Sequence, residues 1–460
     1  MLRNKTRTAS LFSTTLTIAI PLALQNLIAF SVNMADTVML GQLGDIPLSA
    51  SAQANQVFFI VSLAVAGIAD GANVMVSQAW GAKDTARIQH ILAYTYRLAL
   101  GFVLLITLAA VLFPERIMRI YTPDPDVIAA GADYLRIVAF SYFFYTVTTV
   151  STGVLRAVRT VKIAMYGSLI SMGINVLLNW ILIFGKCGFS PMGVKGAAIA
   201  TVIARIAESI VIVVYLYTKE NNLHIQFHTL LQSDKNVLGP FFKTSAPIII
   251  NELFWAVGES VIAATMGQMG TEVVSANSIC SVMNQMATVF VQGATAATCV
   301  IVGNTIGAGK LDELPRQKRF FQTFVLIMGT VAGILIFLTC NFVIGLYDVS
   351  ALAQEYATQM IWITAAIQPF SAFQITNMMG ILRGGGDVRF AMFNDLIFLW
   401  CVTIPLGFLG GVVWKLPVWL VFCLMRFEKI GKSITSEIRL HSKKWIHYVN
   451  VNKKQKEGTI

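Results

Sequence analysis

The sequence predicts an all-α integral membrane protein in which twelve transmembrane helices form two pseudo-symmetric six-helix bundles. Three observations carry this: an apolar composition with few charges, twelve apolar runs long enough to cross a bilayer, and an internal repeat that maps one half of the chain onto the other. Of the 460 residues, 56% are hydrophobic and only 12% charged, and the mean hydropathy is +0.69. Soluble proteins carry about 25% charged residues, so a soluble enzyme, a disordered chain and a nucleic-acid binder are all excluded. The net charge of +11 does not bring nucleic acid back. Nine of the 34 Lys and Arg lie in the last 35 residues, and most others fall in short gaps between apolar runs, a distribution that sets membrane topology.

A span needs about 20 mostly apolar residues. On that criterion spans 1 to 6 cover 13–40, 56–77, 93–113, 132–154, 164–185 and 196–217, and spans 7 to 12 cover 244–267, 279–302, 320–345, 357–380, 391–411 and 416–430. Span 1 follows Arg3, Lys5 and Arg7 but is too long for a signal-peptide core and lacks a cleavage site, so it stays in the protein. Span 8 carries Asn284, Gln285 and Gln292, and span 12 has a short apolar core before Arg426 and Glu428. With the N-terminus inside, the cytoplasmic segments hold 17 Lys and Arg before the tail and the external loops 5, so both termini are expected in the cytoplasm. The expected divisions are a bundle at 1–217, a cytoplasmic linker at 218–243, a second bundle at 244–430 and a basic tail at 431–460. Lys443, Lys444, Lys453, Lys454 and Lys456 of that tail suit anionic headgroups.

Motifs of soluble chemistry are missing. The sequence has no HExxH, GxSxG or GxxxxGK[ST], no CxxC pair, and five of the six cysteines sit in or beside apolar runs. An enzyme is not expected, nor a nucleotide-driven pump, nor a cofactor. The halves match at an offset of 226 to 227 residues: Gly41–Gly44 recurs at Gly267–Gly270, Pro21 at Pro247, Gly81 at Gly307, and Gly153–Met165 (GVLRAVRTVKIAM) at Gly380–Met392 (GILRGGGDVRFAM). Six spans per half place both halves in the same orientation, the parallel repeat found in transporters that work by alternating access.

The segments DTVMLGQLG (Asp36–Gly44), SQAWGAKD (Ser77–Asp84), LRAVR (Leu155–Arg159), GVKGAAIAT (Gly193–Thr201), NELFW (Asn251–Trp255) and LRGGGD (Leu382–Asp387) resemble the multidrug and toxic compound extrusion (MATE) transporters of the bacterial inner membrane. They run along nearly the whole chain. The resemblance implies two six-helix bundles forming a V, and export of organic cations and amphipathic toxins in exchange for Na⁺ or H⁺. The expected partners are these small molecules and the lipid bilayer, with the chain acting as a monomer. A lipid-linked sugar flippase of the same wider superfamily is the alternative.

Ionisable groups at membrane depth are functional candidates. The resemblance places a coupling carboxylate at Asp36, in a span that Pro21 can kink. A buried carboxylate can be neutralised by a proton or by a bound cation. Asn175 and Asn179 are i and i+4, hence on one face, and together with Thr201 they would add oxygen ligands suited to a hard cation. Some relatives have Asp where Asn179 stands. In the second half, Glu252 and Glu259 lie two turns apart on span 7 and suit a cavity that attracts cations or relays protons, as does Asp395 of span 11. Gln374 stands where some relatives carry an Asp, and Asn284 sits beside the polarizable Met283 and Met286. Arg205 and Glu208 are placed to pair with each other, and Asp70 is a weaker candidate.

Overall fold

The structure is a computed structural model that describes residues 2–219, 223, 235–347, 349–442 and 444–449. The chain is a succession of helices: α1 (Leu2–Gly41), α2 (Asp45–Gly81), α3 (Thr85–Leu112), α4 (Pro114–Tyr121), α5 (Pro125–Val138), α6 (Ser141–Ala157), α7 (Lys162–Phe184) and α8 (Gly193–Thr218) in the first half of the repeat. The second half holds α9 (Lys235–Met269), α10 (Thr271–Gly307), α11 (Leu314–Ile344), α12 (Ala351–Ile375), α13 (Val388–Ile397), α14 (Ile404–Phe408), α15 (Val418–Arg426) and α16 (Glu428–His441). Every one of the twelve expected spans has a helical counterpart, and the protein is a multi-pass membrane protein. Among the described residues nine helices are long and apolar enough to cross a bilayer, and α5 with α6, bent by 48°, makes a tenth span. The other two are α12, diluted by Gln354, Glu355, Gln359, Gln368 and Gln374, and α15 with α16, interrupted at Phe427.

Local chemistry sets the ends of these helices. Asp84 caps α3 by accepting the Arg87 amide at 3.0 Å, and Asp124 caps α5, whose first residue is Pro125. Gly185, at φ +66°, ends α7 in the left-handed conformation that glycine tolerates. In the second half three turns open to π geometry, at Thr376–Leu382, Phe398–Thr403 and Leu409–Val413. Such turns take up an extra residue and tend to occur at functional positions.

The chain forms two compact units. One comprises Leu24–Val76 and Asp84–Ser245, the other Met1–Ala23, Ser77–Lys83 and Ala246–Ile460. The dividing line falls inside α1, two residues beyond Pro21, which is buried in an unbroken helix. The first unit has a core of Val61, Val65, Leu135, Tyr142 and Ile183, with Phe58 against the Tyr142 and Tyr145 rings. The second has Met266, Cys280, Ile336, Met360 and Phe422.

Within the second unit the C-terminal ends of α2 and α10 cross. A side chain on Gly81 would collide with the Asn304 carbonyl, and one on Gly307 with the Gln78 carbonyl, so the repeat-equivalent glycines let two backbones touch. Beside this crossing, α16 continues to His441 with Lys432, Ser433, Ser436 and Leu440 buried, past the point where the sequence places the tail. The chain then folds back. Trp445 is buried against Gly385, Ile446 bridges to Gly386, and the His447 amide donates to the Gly385 carbonyl at 2.7 Å. Gln78 grips this strap at both ends of its amide, donating to the His447 carbonyl (3.1 Å) and accepting from the Val449 amide (2.9 Å). Arg439 and His447 flank Asp387 at 2.7 and 3.6 Å. Burial works to raise the Asp387 carboxyl, but hydrogen bonds and charge from His447 and Arg439 outweigh it and hold it below the ordinary range. The basic residues Lys453, Lys454 and Lys456 and most of the 218–243 linker lie outside the described residues.

Candidate functional site in the first half

Asp36 comes from the last turns of α1, where its half-buried carboxylate faces α7. Asn179 donates its amide to Asp36 Oδ1 at 2.5 Å and to Asn175 Oδ1 at 3.2 Å. Asn175 donates to the Thr201 hydroxyl at 3.4 Å, and Thr201 in turn donates to the Ala197 carbonyl at 3.0 Å. The i, i+4 spacing on α7 therefore does what the sequence predicts, and all four residues form one connected group. Asn175 and Asn179 are buried. Asn179 Oδ1 is a buried acceptor that no hydrogen bond satisfies, which costs about 1–3 kcal/mol unless something binds it.

Among the described residues Asp36 makes no ion pair. The nearby cation is engaged elsewhere: Arg205 Nη1 bonds Glu208 Oε2 at 3.0 Å and stacks over the Tyr145 and Phe58 rings, as the i, i+3 spacing predicts. Glu208 also accepts from the Ser168 hydroxyl at 2.8 Å. Asp70 pairs with Arg156 at 3.1 Å. The group thus offers a carboxylate, amide oxygens and a hydroxyl with one negative charge left over, a donor set suited to a proton or a small hard cation. Two further polar residues join it. The buried Tyr134 hydroxyl of α5 reaches Asn55 and Thr201. Nothing in the sequence marked them beyond one polar group each in an apolar stretch.

The second-half candidates are not gathered in this way. Glu252 pairs with Arg383 of the LRGGGD segment at 3.1 Å, a partner 131 residues distant. Glu259 is exposed on α9, Gln374 is buried on α12, and Asn284 is half-buried with its carbonyl accepting the Thr288 hydroxyl at 2.9 Å. Asp395 is held by Lys432 at 2.7 Å.

A family model described as MatE matches residues 21–181 and 247–409, one match in each half. The probable multidrug resistance protein NorM of Agrobacterium fabrum is 29% identical over 417 residues, covering 88% of this chain and 89% of that protein. The probable multidrug resistance protein YoeA of Bacillus subtilis is 26% identical over 408 residues, 87% of each. Among solved structures, a MATE transporter in complex with MaL6 superposes with a TM-score of 0.85 at 17% identity, covering 94% of this chain and 96% of that one. A MOP-superfamily transporter from Pyrococcus furiosus, described as having a binding pocket of reverse polarity, also gives 0.85, at 16% identity over 95% and 96%.

Proposed function

This chain belongs to the MatE family of membrane transporters, and on that premise we propose that it exports organic cations and amphipathic toxins in exchange for Na⁺ or H⁺ by alternating access. The observation that carries the reading is the Asp36 carboxylate, held by the Asn179 amide and, among the described residues, left without a cationic partner. A charge at membrane depth is costly alone. It is therefore neutralised in turn by whatever cation each side of the membrane supplies. Asn175, Asn179 and Thr201 add ligands for a coupling Na⁺, or polarise the carboxyl that takes up a coupling proton.

Cargo is drawn by acidic groups of the second half, Glu252 and Glu259, with Gln374 and Asn284 as neutral polar groups on other helices of that half. Binding of the coupling ion from outside and of cargo from inside favours opposite orientations of the two repeat halves, and each orientation shift carries one of them across. We place the protein in the inner membrane of a bacterium as a monomer, with both termini in the cytoplasm, on the asymmetry of its Lys and Arg.

The test is efflux of a fluorescent organic cation from vesicles under an imposed Na⁺ or proton gradient. Dye movement that follows one gradient supports the reading and identifies the ion. Movement indifferent to both, or transport of a lipid-linked sugar with no dye movement, overturns it.

A further inference from the structure

The two halves of the repeat join their last two spans at corresponding positions. In the first half Ser171 of α7 donates to the Ala204 carbonyl of α8 at 3.2 Å. The residues 227 positions later are Phe398 and Gly431, and there the Phe398 ring lies where a side chain on Gly431 would stand. The joint aligns the surroundings residue by residue. Ser168 corresponds to Asp395, Thr201 to Glu428 and Arg205 to Lys432. The extra residue of the π turn Phe398–Thr403 brings Thr403 to the place Asn175 holds in the first half.

The chemistry at these equivalent places is inverted. In the first half the cation Arg205 turns away to Glu208, and Thr201 and Asn175 are linked through Asn179 to a carboxylate delivered from α1. In the second half the counterpart of Asp36 on α9 is the apolar Ile262, and the carboxylates come from α13 and α16 instead. Lys432 Nζ lies 2.7 Å from Asp395 Oδ1 and 2.9 Å from Glu428 Oε2, with only 3% of its side chain exposed. Thr403 donates to Glu428 Oε2 at 3.0 Å, and Lys429 covers Glu428 Oε1 at 2.9 Å. Two carboxylates flank a buried positive charge, and a hydroxyl bonds one of them, as a ligand set is arranged about an ion.

We propose that Lys432 is a tethered cation occupying the second half's version of the coupling-ion site, so that this half holds its cation permanently and only the first half exchanges one. The proposal rests on the reading of Asp36 given above. Removing the ammonium leaves Asp395, Glu428 and Thr403 with a net negative charge and room for one small cation, and so creates a second exchangeable site.

Binding of radioactive Na⁺ to the purified full chain at pH 9, in excess choline, tests this. Where the parent chain retains Na⁺, Asp36→Asn is expected to lose that retention, and keeping it overturns the reading of Asp36 whatever Lys432 does; a parent that retains none is proton-coupled, and the Lys432 variants are then compared with that baseline. In the Asp36→Asn background, Lys432→Gln is expected to restore saturable Na⁺ retention. Lys432→Arg, which keeps a tethered cation, is expected not to, and adding Glu428→Gln to the Lys432→Gln chain is expected to remove it again. Should Lys432→Gln weaken the fold, Na⁺ and not choline is expected to raise its melting temperature. Either no Na⁺ retention by a folded Lys432→Gln chain above the Asp36→Asn level, or no Na⁺-specific rise in an unstable one, overturns the proposal.

Discussion

The joint between α7 and α8 and the joint of Phe398 with Gly431 share a backbone plan and differ in what neutralises their acids. At the first, Asp36 is met by the Asn179 amide, and the nearest guanidinium is committed to Glu208. At the second, Asp395 and Glu428 close on the Lys432 ammonium. A buried acid is exchangeable when its counter-charge can leave, and structural when that charge is covalently attached. On the reading proposed above, the two halves carry an ion-exchange site and a staple at related positions.

The contrast is broken most directly at Asp36. Asp36→Asn keeps the shape of the side chain and removes the charge, so gradient-driven dye efflux is expected to fall to the level of empty vesicles while melting temperature and membrane insertion stay near those of the parent. Normal efflux by this variant would place coupling elsewhere. Next comes the staple. Glu428→Gln leaves the buried Lys432 with half its compensation, and breaking a buried pair in this way costs about 3–5 kcal/mol. Thermal unfolding should show a large drop, whereas replacing Asp395, Glu428 and Lys432 together by Asn, Gln and Met is expected to recover most of it. Equal stability of the single and triple variants would mean that the cluster is not a unit.

A finer probe is Asn179→Ala. A hydrogen bond to a charged group contributes about 1.5–3 kcal/mol, and because the Asn179 amide stabilises the ion-free carboxylate, the half-saturating concentration of a coupling proton should fall roughly tenfold or more in this variant, with the maximal rate largely kept. The smallest effect is local. The Asp387 carboxyl is held below the ordinary carboxylate pKa of about 3.9. Its contribution to the strap is therefore complete above that pH and lost as pH falls through the depressed value. The protection of the His447 and Val449 amides, corrected for intrinsic exchange, should be high at neutral pH and be lost only in acid below the ordinary carboxylate range, and in Arg439→Gln the loss should begin at higher pH. Exchange that ignores acid in both proteins would show that the backbone bonds and Trp445 alone hold the strap.

Much of this was readable before any coordinates. The apolar runs gave the spans because bilayer thickness fixes their length, and the α-helical period put Asn175 and Asn179 on one face. The pairing of Arg205 with Glu208 is also local, three residues apart. By contrast, Asn55 and Tyr134 join the Asp36 group from α2 and α5, and Arg383 reaches Glu252 from a distant loop, so no periodicity announces them. The strap was hidden for a different reason: a basic tail reads as a solvated surface, and only the GGG segment, narrow enough to receive the Trp445 ring, makes it structural.

By itself the sequence determined the membrane spans, the repeat and the residues able to carry charge into the membrane, since these depend on hydrophobic length, periodicity and side-chain type. The tertiary structure decided which of those charges are compensated, because neutralisation depends on atoms a few ångströms apart in space and often more than a hundred residues apart in the chain. That is why Asp36 and Asp395, two acids of the same kind in different membrane segments, end with an amide and an ammonium as partners.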